Sequence, residues 1–519
     1  MLTPKVTESM EKKTTEQLAH DFISLYNEYD LRISGKINNQ TAYQLIEIIE
    51  QKYQTDTLQL TDGTHIWNLL RIFLYSNFQN LNEQKTLSKN NLRSFISLLK
   101  ESFLPITLPQ NVTICGFSSS ESRKLYKDTY YDIYLDPLYA ILGDKLAVFE
   151  WPETTGYRRK YDHPVFSKNY VRMHFPLWSK TFWDLLSNKL TGRKNFSLKS
   201  EKTFKEIIEF ISTQAAVDKI KLMKDIHDFI TVFVAVKYFL FRMLQKIKPK
   251  AVLIRCGYGR FPMALSEACR ELNITSIEFQ HGIITAYHPA YRRATPTKNK
   301  DCVPEYLLTQ GEIYTELVRE GNLFEQNKVI TTGYPYLQQI LNEENKRTIP
   351  KQSYSSYAKN ILFTSQWILA TEIQDFVLKV AKQLKDEKQD IGILFKPHPY
   401  DKNDYSSMKK NTHIRLINKY EDAYKLFSSV DIHATVYSTS GLEAIAFGTP
   451  TIFVDLLHME QNTRTQYIVT SPTQFTESIR RILTHYHDSI SEIKAVANLF
   501  FTPSPEMQFK KFFTDLNLL

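Results

Sequence analysis

Residues 251–279 read AVLIRCGYGRFPMALSEACRELNITSIEF, and this stretch decides the fold. Ala251 to Arg255 is a short, fully apolar strand capped by one arginine. The turn Cys256-Gly257-Tyr258-Gly259-Arg260 follows, then a helix over Phe261 to Leu272 and a strand over Thr275 to Phe279. Strand, turn, helix and strand in that order form the unit of a parallel doubly wound sheet.

The pattern continues downstream. Tyr306 to Thr309 and Val329 to Thr332 read as strands, with a helix over Ile313 to Glu320 between them. Residues 341–359 are polar and mark a linker. A second α/β run follows over 360–490, with strands at Asn360 to Thr364, Ile391 to Lys396, Ile414 to Ile417, Ile432 to Val436 and Thr451 to Val454. Residues 491–519 read as C-terminal helices. Upstream, strands at Val112 to Phe117 and Ala147 to Trp151 open a first α/β domain over 106–340, and one long helix is expected from Phe204 to Ile247. Residues 1–105 show helical spacing (Leu18, Phe22, Ile23, Tyr26; Leu45, Ile46, Ile48, Ile49) and form a helical N-terminal extension. The fold class is α/β: two doubly wound, Rossmann-like domains facing a cleft.

The chain has 519 residues, 42% hydrophobic and 23% charged, the balance of a globular protein with two or three domains. The net charge of +9 suits an anionic small molecule or an anionic membrane surface. The positive charge is dispersed, so nucleic acid is not an expected partner. The four cysteines form no CxxC pair, which argues against a zinc or redox motif and fits a reducing compartment. No apolar signal segment is visible at the N-terminus. The longest apolar run, Phe229 to Leu244, contains Lys237 and Arg242 and reads as a buried helix. A cytoplasmic location is expected, with peripheral contact at the inner face of the membrane.

Ligands of doubly wound sheets bind beyond the carboxyl ends of the strands. Four groups of residues lie there. Lys396-Pro397-His398-Pro399 follows the strand 391–396, and its prolines stiffen a turn that carries a cation and an imidazole, suited to a diphosphate or a base. Ser438, Thr439 and Ser440 open a helix after the strand 432–436, where hydroxyls, backbone N–H groups and the helix dipole seat a phosphate. Glu443, at i+3 from Ser440, either closes a capping box or accepts from ribose hydroxyls. Gln280-His281-Gly282 follows the strand 275–279, and His281 is placed to act as a general base. Arg255 and Arg260 flank the Gly257–Gly259 turn and are candidates for an anionic acceptor or the donor phosphate, although a plain tight turn is the more ordinary reading. The segment His288-Pro289-Ala290-Tyr291-Arg292-Arg293 reads as a basic, mobile acceptor loop.

In combination, QHG, KPHP and the Ser/Thr cluster leading into GLEAIAFGTPTIFVD resemble bacterial GT-B transferases of surface-polymer synthesis. The nearest groups are the CDP-glycerol glycerophosphotransferases, the sialyl- and polysialyltransferases and the capsule Kdo transferases. The resemblance covers about residues 250–470. It implies His398 and Pro399 near the base or phosphate of a cytidine nucleotide, Ser438, Thr439 and Ser440 on the phosphate, and His281 as the base. It further implies a nucleotide-sugar or related donor, a saccharide or glycolipid acceptor of the cell surface, and displacement at an anomeric carbon with no metal or cofactor. Two alternatives stand beside it: an enzyme like the UDP-GlcNAc 2-epimerases, and a non-catalytic binding protein on the same scaffold.

Overall fold

The computed structural model describes residues 13–33, 36–37, 40–79, 111–151, 161–173, 198–346, 354, 356–457 and 466–519. Parts of four expectations lie outside them: the extension at 1–12, 34–35, 38–39 and 80–105, the first α/β domain at 106–110, 152–160 and 174–197, the linker at 347–353 and 355, and the C-terminal half at 458–465. The chain divides into two compact units. One comprises residues 1–29, 311–313 and 337–503; the other comprises 30–310, 314–336 and 504–519. The observed division therefore cuts the chain elsewhere than at 105, 341 and 491. Residues 13–29 belong with the C-terminal α/β half, and the last 16 return to the N-terminal half.

The chain enters through helix α1 (Thr15–Ile33). In the larger unit, α2 (Ala42–Lys52) opens with the capping box of Thr41 and Gln44 and packs beside α3 (Trp67–Gln79). Strands β1 (Ile114–Ser118), β2 (Leu146–Glu150) and β3 (Tyr170–Arg172) follow. The expected single helix is two, α4 (Glu201–Ala215) and α5 (Lys219–Ile247). Ala216 takes a left-handed conformation between them, and Asp218 caps α5 by accepting from Lys221 N–H. Next come β4 (Ala251–Ile254), α6 (Arg260–Glu271), β5 (Thr275–Phe279), β6 (Tyr306–Thr309), α7 (Glu312–Arg319) and β7 (Val329–Thr331). The sheet is wholly parallel in the order β7-β6-β5-β4-β1-β2-β3. Helix α5 buries Phe229, Phe233, Val236, Leu240 and Leu244 against β1, β2 and α6. Lys237 lies in that apolar run with its ammonium 2.8 Å from both Asp62 and Glu271, which keeps a buried cation paired.

In the smaller unit, α8 (Pro335–Asn345) occupies the start of the expected linker. Then come β8 (Lys359–Thr364), α9 (Ala370–Asp386), β9 (Ile391–Lys396), β10 (Ile414–Leu416) and β11 (Ile432–Thr435). Helix α10 (Thr439–Ala446), β12 (Thr451–Val454), β13 (Ile468–Val469), α11 (Pro472–Thr484) and α12 (Tyr486–Phe500) complete it. The order β10-β9-β8-β11-β12-β13 is again wholly parallel. Helix α13 (Pro505–Asp515) returns to the larger unit, where Phe509 and Phe513 join the core of β1, β4 and β5.

Two parallel doubly wound units in one chain are the parts of the GT-B architecture. Each sheet reverses its winding at one place. In the larger unit this is between β1 and β4, and in the smaller between β8 and β11. These switch points leave a crevice at the strands' carboxyl ends.

Candidate functional site

At the smaller unit's switch point, Thr364 ends β8 and Ser440 stands in the first turn of α10, with their hydroxyls 2.9 Å apart. Ser438 is the N-cap of α10, and its side chain accepts from Ser440 N–H at 3.3 Å. The capping box expected from Glu443 is not made. The cap lies two residues earlier than that box requires, and Glu443 instead accepts from Tyr424 O–H at 2.9 Å. Gly441 lets α10 lie close on the sheet: a Cβ there would stand 2.4 Å from the Phe453 ring. Thr439 is exposed, while Ser438 and Ser440 are half-buried. The N-terminal N–H groups of α10 are thus presented at the sheet's carboxyl edge, the arrangement that binds anions.

A buried chain of hydrogen bonds stands behind Ser440. His433 on β11 meets Thr364 Oγ1 through Nε2 at 2.9 Å and Thr451 Oγ1 through Nδ1 at 3.3 Å. Burial lowers the His433 pKa to about 3, so the ring is neutral and donates through one nitrogen only. Thr451 O–H reaches the Thr449 carbonyl at 3.2 Å. With that bond made, His433 donates from Nδ1 and accepts at Nε2 from Thr364, which in turn accepts from Ser440.

Beside it, the Lys396–Pro399 turn continues β9. Lys396 is buried, and its ammonium donates to the Lys419 carbonyl at 2.9 Å, tying the loops after β9 and β10 together. His398 is half-buried, and its Nδ1 accepts from Tyr400 N–H at 3.2 Å, which leaves Nε2 as the N–H donor of the neutral ring. Its pKa is lowered by burial and by Lys396, with Asp401 opposing. Pro399 is exposed.

In the larger unit, Arg255 after β4 donates to Ser119 Oγ after β1 at 2.8 Å and to Glu121 at 3.1 Å. His281 follows β5. Its Nε2 lies 3.2 Å from the Tyr258 hydroxyl, and its carbonyl accepts from Tyr134 O–H at 2.9 Å. Its Nδ1 is buried and makes no hydrogen bond of full geometry. Burial, then Arg255 and His288, lower its pKa to about 3, with the Phe279 carbonyl opposing. Gln280 is buried and structural: its amide donates to the Gly282 carbonyl at 2.8 Å and accepts from Gln310 N–H at 2.8 Å. Gly282 has open space around it.

The Gly257–Gly259 turn is no phosphate cradle. Gly259 takes a φ of +100°, and a Cβ on Gly257 would stand 2.2 Å from Glu278 Oε2. Gly257 N–H and Tyr291 O–H both donate to the buried Glu278 at 2.8 Å, and burial pushes that carboxyl up to about 7. Arg260 is exposed and lies over the Phe229 ring, 4.7 Å from its centroid. The expected mobile acceptor loop at 288–293 is instead packed into the unit. Tyr291 and Arg293 are buried, Arg293 pairs with Asp56 at 2.9 Å, and Arg71 donates to the carbonyls of Pro289 and Arg292.

Residues 267–494 match the family model described as CDP-Glycerol:Poly(glycerophosphate) glycerophosphotransferase. The chain is a nucleotide-donor transferase. Among solved structures it is similar to the wall teichoic acid polymerase TagF at 14% identity, covering 83% of this chain and 99% of that one, with a TM-score of 0.44. It is also similar to the UDP-GlcNAc 2-epimerase of Neisseria meningitidis bound to UDP-GlcNAc, at 14% identity, 78% and 99% coverage and a TM-score of 0.45. A third is the S. aureus MnaA–UDP co-structure, at 13% identity, 79% and 98% coverage and a TM-score of 0.43. Comparison with curated proteins gave no match.

The transferase's matched stretch contains His281, His398 and Ser438–Ser440. Sequence reading missed the partners of the candidate residues: Tyr134 and Tyr258 on His281 and Ser119 on Arg255 in one unit, and Thr364 on Ser440, His433 behind it and Tyr424 on Glu443 in the other. Thr364 alone carried a local signal, as the last residue of a strand. Tyr134 and Ser119 stand 147 and 136 residues from the groups they bind, and Tyr258, Tyr424 and His433, although nearer, belong to no motif that marks them as partners. Among the described residues no helix is long and apolar enough to cross a membrane.

Proposed function

We propose that this transferase moves a glycerophosphate unit from a cytidine diphosphate donor to a hydroxyl of a cell-surface polymer. The observation that supports this best is the family match over 267–494, which takes in the base candidate and the anion seat together. In this reading the donor's diphosphate sits at the N-terminus of α10, with Ser438, Thr439 and Ser440. His398 donates from Nε2 to phosphate or base, and Glu443 accepts from the ribose. Lys396 acts through the backbone it ties down.

The acceptor hydroxyl attacks the donor's distal phosphorus. A new P–O bond forms, the P–O bond to the nucleotide breaks, and CMP leaves. The phosphorus replaces the anomeric carbon expected from sequence as the centre attacked. The hydroxyl proton passes to His281. The Phe279 carbonyl favours N–H on the buried Nδ1, so Nε2, which meets the Tyr258 hydroxyl, is the nitrogen that accepts. A pKa of about 3 keeps its lone pair free at neutral pH. The helix N-terminus and backbone donors stabilise the leaving phosphate, so the reaction proceeds without a metal. The net charge of +9 suits work at the inner face of the membrane on a lipid-anchored polymer, a capsule or teichoic acid.

Thermal shift with CMP, CDP, UDP and GDP tests the donor. Stabilisation by the cytidine nucleotides, lost in His398→Ala, is the expected result, and no response to any nucleotide refutes the proposal. Turnover of CDP-glycerol unaffected by EDTA is expected; its loss would overturn metal independence.

A further inference from the structure

Helix α1 lies outside the family-matched stretch, and its residues read in sequence only as part of a helical extension. Leu18, Phe22, Leu25, Tyr26 and Tyr29 recur at helical spacing and are all buried. An apolar face of that kind needs only packing, yet this one ends in two hydroxyls. Phe22 packs on Phe453 with centroids 4.7 Å apart and on Tyr467 at 6.3 Å, which seats α1 against β12. Four residues on, Tyr26 donates to the Ser438 carbonyl at 2.7 Å. Tyr29 stacks on Tyr437 at 4.6 Å and 22°. The Tyr29 hydroxyl accepts from Leu456 N–H at 3.0 Å and reaches the Val454 carbonyl at 3.3 Å. Burial and then Asp455 hold its pKa far above the usual tyrosine range, so it keeps its proton.

We infer that Tyr26 and Tyr29 are positioning residues for the nucleotide donor, holding the Tyr437–Ser440 loop so that the N-terminus of α10 faces the phosphates. The inference rests on the donor reading above. Ser438 is the residue where the extended backbone turns into helix, with its carbonyl already accepting from Gly441 N–H at 2.9 Å. A second donor on the same oxygen fixes the plane of the Ser438–Thr439 peptide, and with it the direction of the Thr439 N–H. Tyr29 does the same for the loop after β12. A pre-aimed anion seat spares the ordering cost that a loose loop would incur on binding.

Calorimetry with CDP on the full chain tests this, using Tyr26→Phe and Tyr29→Phe, with Ser440→Ala and Tyr467→Phe as references. Tyr467 is buried in the same unit, touches Phe22 and donates to Glu492 at 2.7 Å, so its loss is equally structural but remote from the loop. Each α1 variant is expected to weaken CDP binding about fivefold and to raise the donor KM by the same factor, with kcat within about twofold. Tyr467→Phe should lower Tm and leave CDP affinity unchanged. Unchanged affinity in both α1 variants, with Ser440→Ala weakened, overturns the inference while the donor reading stands. Equal weakening in Tyr467→Phe overturns it too, because general loosening then accounts for the effect. CDP binding that is absent in the wild type, or unchanged in Ser440→Ala, sinks the donor reading and the inference with it.

Discussion

The two switch points are built alike and furnished differently. In the smaller unit the carboxyl edge presents hydroxyls, backbone N–H groups and a half-buried imidazole whose Nε2 is the donor. In the larger unit the edge presents a histidine enclosed by Tyr134, Tyr258 and Arg255, with its pKa pushed down to about 3. The difference fits the roles proposed for them. An anion seat needs many donors and access to a bulky ligand. A base needs its lone pair free and its ring fixed, and so gains from close packing and loss of water.

The sharpest way to break that contrast is to remove the base. His281→Ala is expected to lower kcat by about 10²–10⁴-fold while CDP affinity stays within twofold. A turnover rate near that of the wild type would remove His281 from the chemistry.

Next in size is the packing that holds the ring. Gly257→Ala forces a Cβ to 2.2 Å from Glu278 Oε2 and 2.7 Å from Pro304 Cγ. Glu278 is buried and doubly hydrogen-bonded, so it cannot step aside cheaply. A loss of about 1–3 kcal/mol is expected, read as a lower denaturant midpoint. A variant as stable as the wild type would show this turn to be looser than drawn.

Acid acts on both units in the same direction. His433 at about 3, His281 at about 3 and His288 at about 4 all lie below the ordinary histidine value. The unfolded chain therefore takes up protons near pH 6.5 that the folded chain refuses, so stability is full above that pH and falls as pH drops towards these values. For the fully buried His433 the loss between pH 7 and pH 5 is about 2 kcal/mol. Denaturation midpoints at the two pH values should differ less in His433→Gln than in the wild type. Equal differences would mean that His433 titrates normally.

The smallest effect separates the two arginines. Arg260→Ala is expected to leave kcat/KM within twofold, since its guanidinium lies over Phe229. Arg255→Ala removes the link to Ser119 and Glu121 and should reduce kcat/KM about tenfold. A larger loss in Arg260→Ala would reverse their order.

Both halves were legible as doubly wound because a strand buried in a parallel sheet is a short apolar run, and such runs stand out between turns. The strands at 275–279, 306–309, 391–396 and 451–454 lie where the sequence put them. Helix ends were less legible. Ala216 at φ +51° breaks an apolar pattern that otherwise runs from Phe204 to Ile247. Arg293 also misled: basic residues in sequence look solvated, and only the fold supplies the Asp56 that lets one be buried.

Sequence by itself determined which residues follow strands, and therefore that Lys396–Pro399, Ser438–Ser440 and Gln280–Gly282 stand at carboxyl edges, because strand order along the chain is local information. Tertiary structure alone decided what each of them can do. The enclosure of His281 and the hold of α1 on Ser438 depend on partners from distant parts of the chain, while the tautomer of His398 and the diversion of Lys396 depend on how the nearby Tyr400 and Lys419 backbone is folded. Hydrogen-bond partners and burial set protonation and direction, and neither is written in the spacing of a motif.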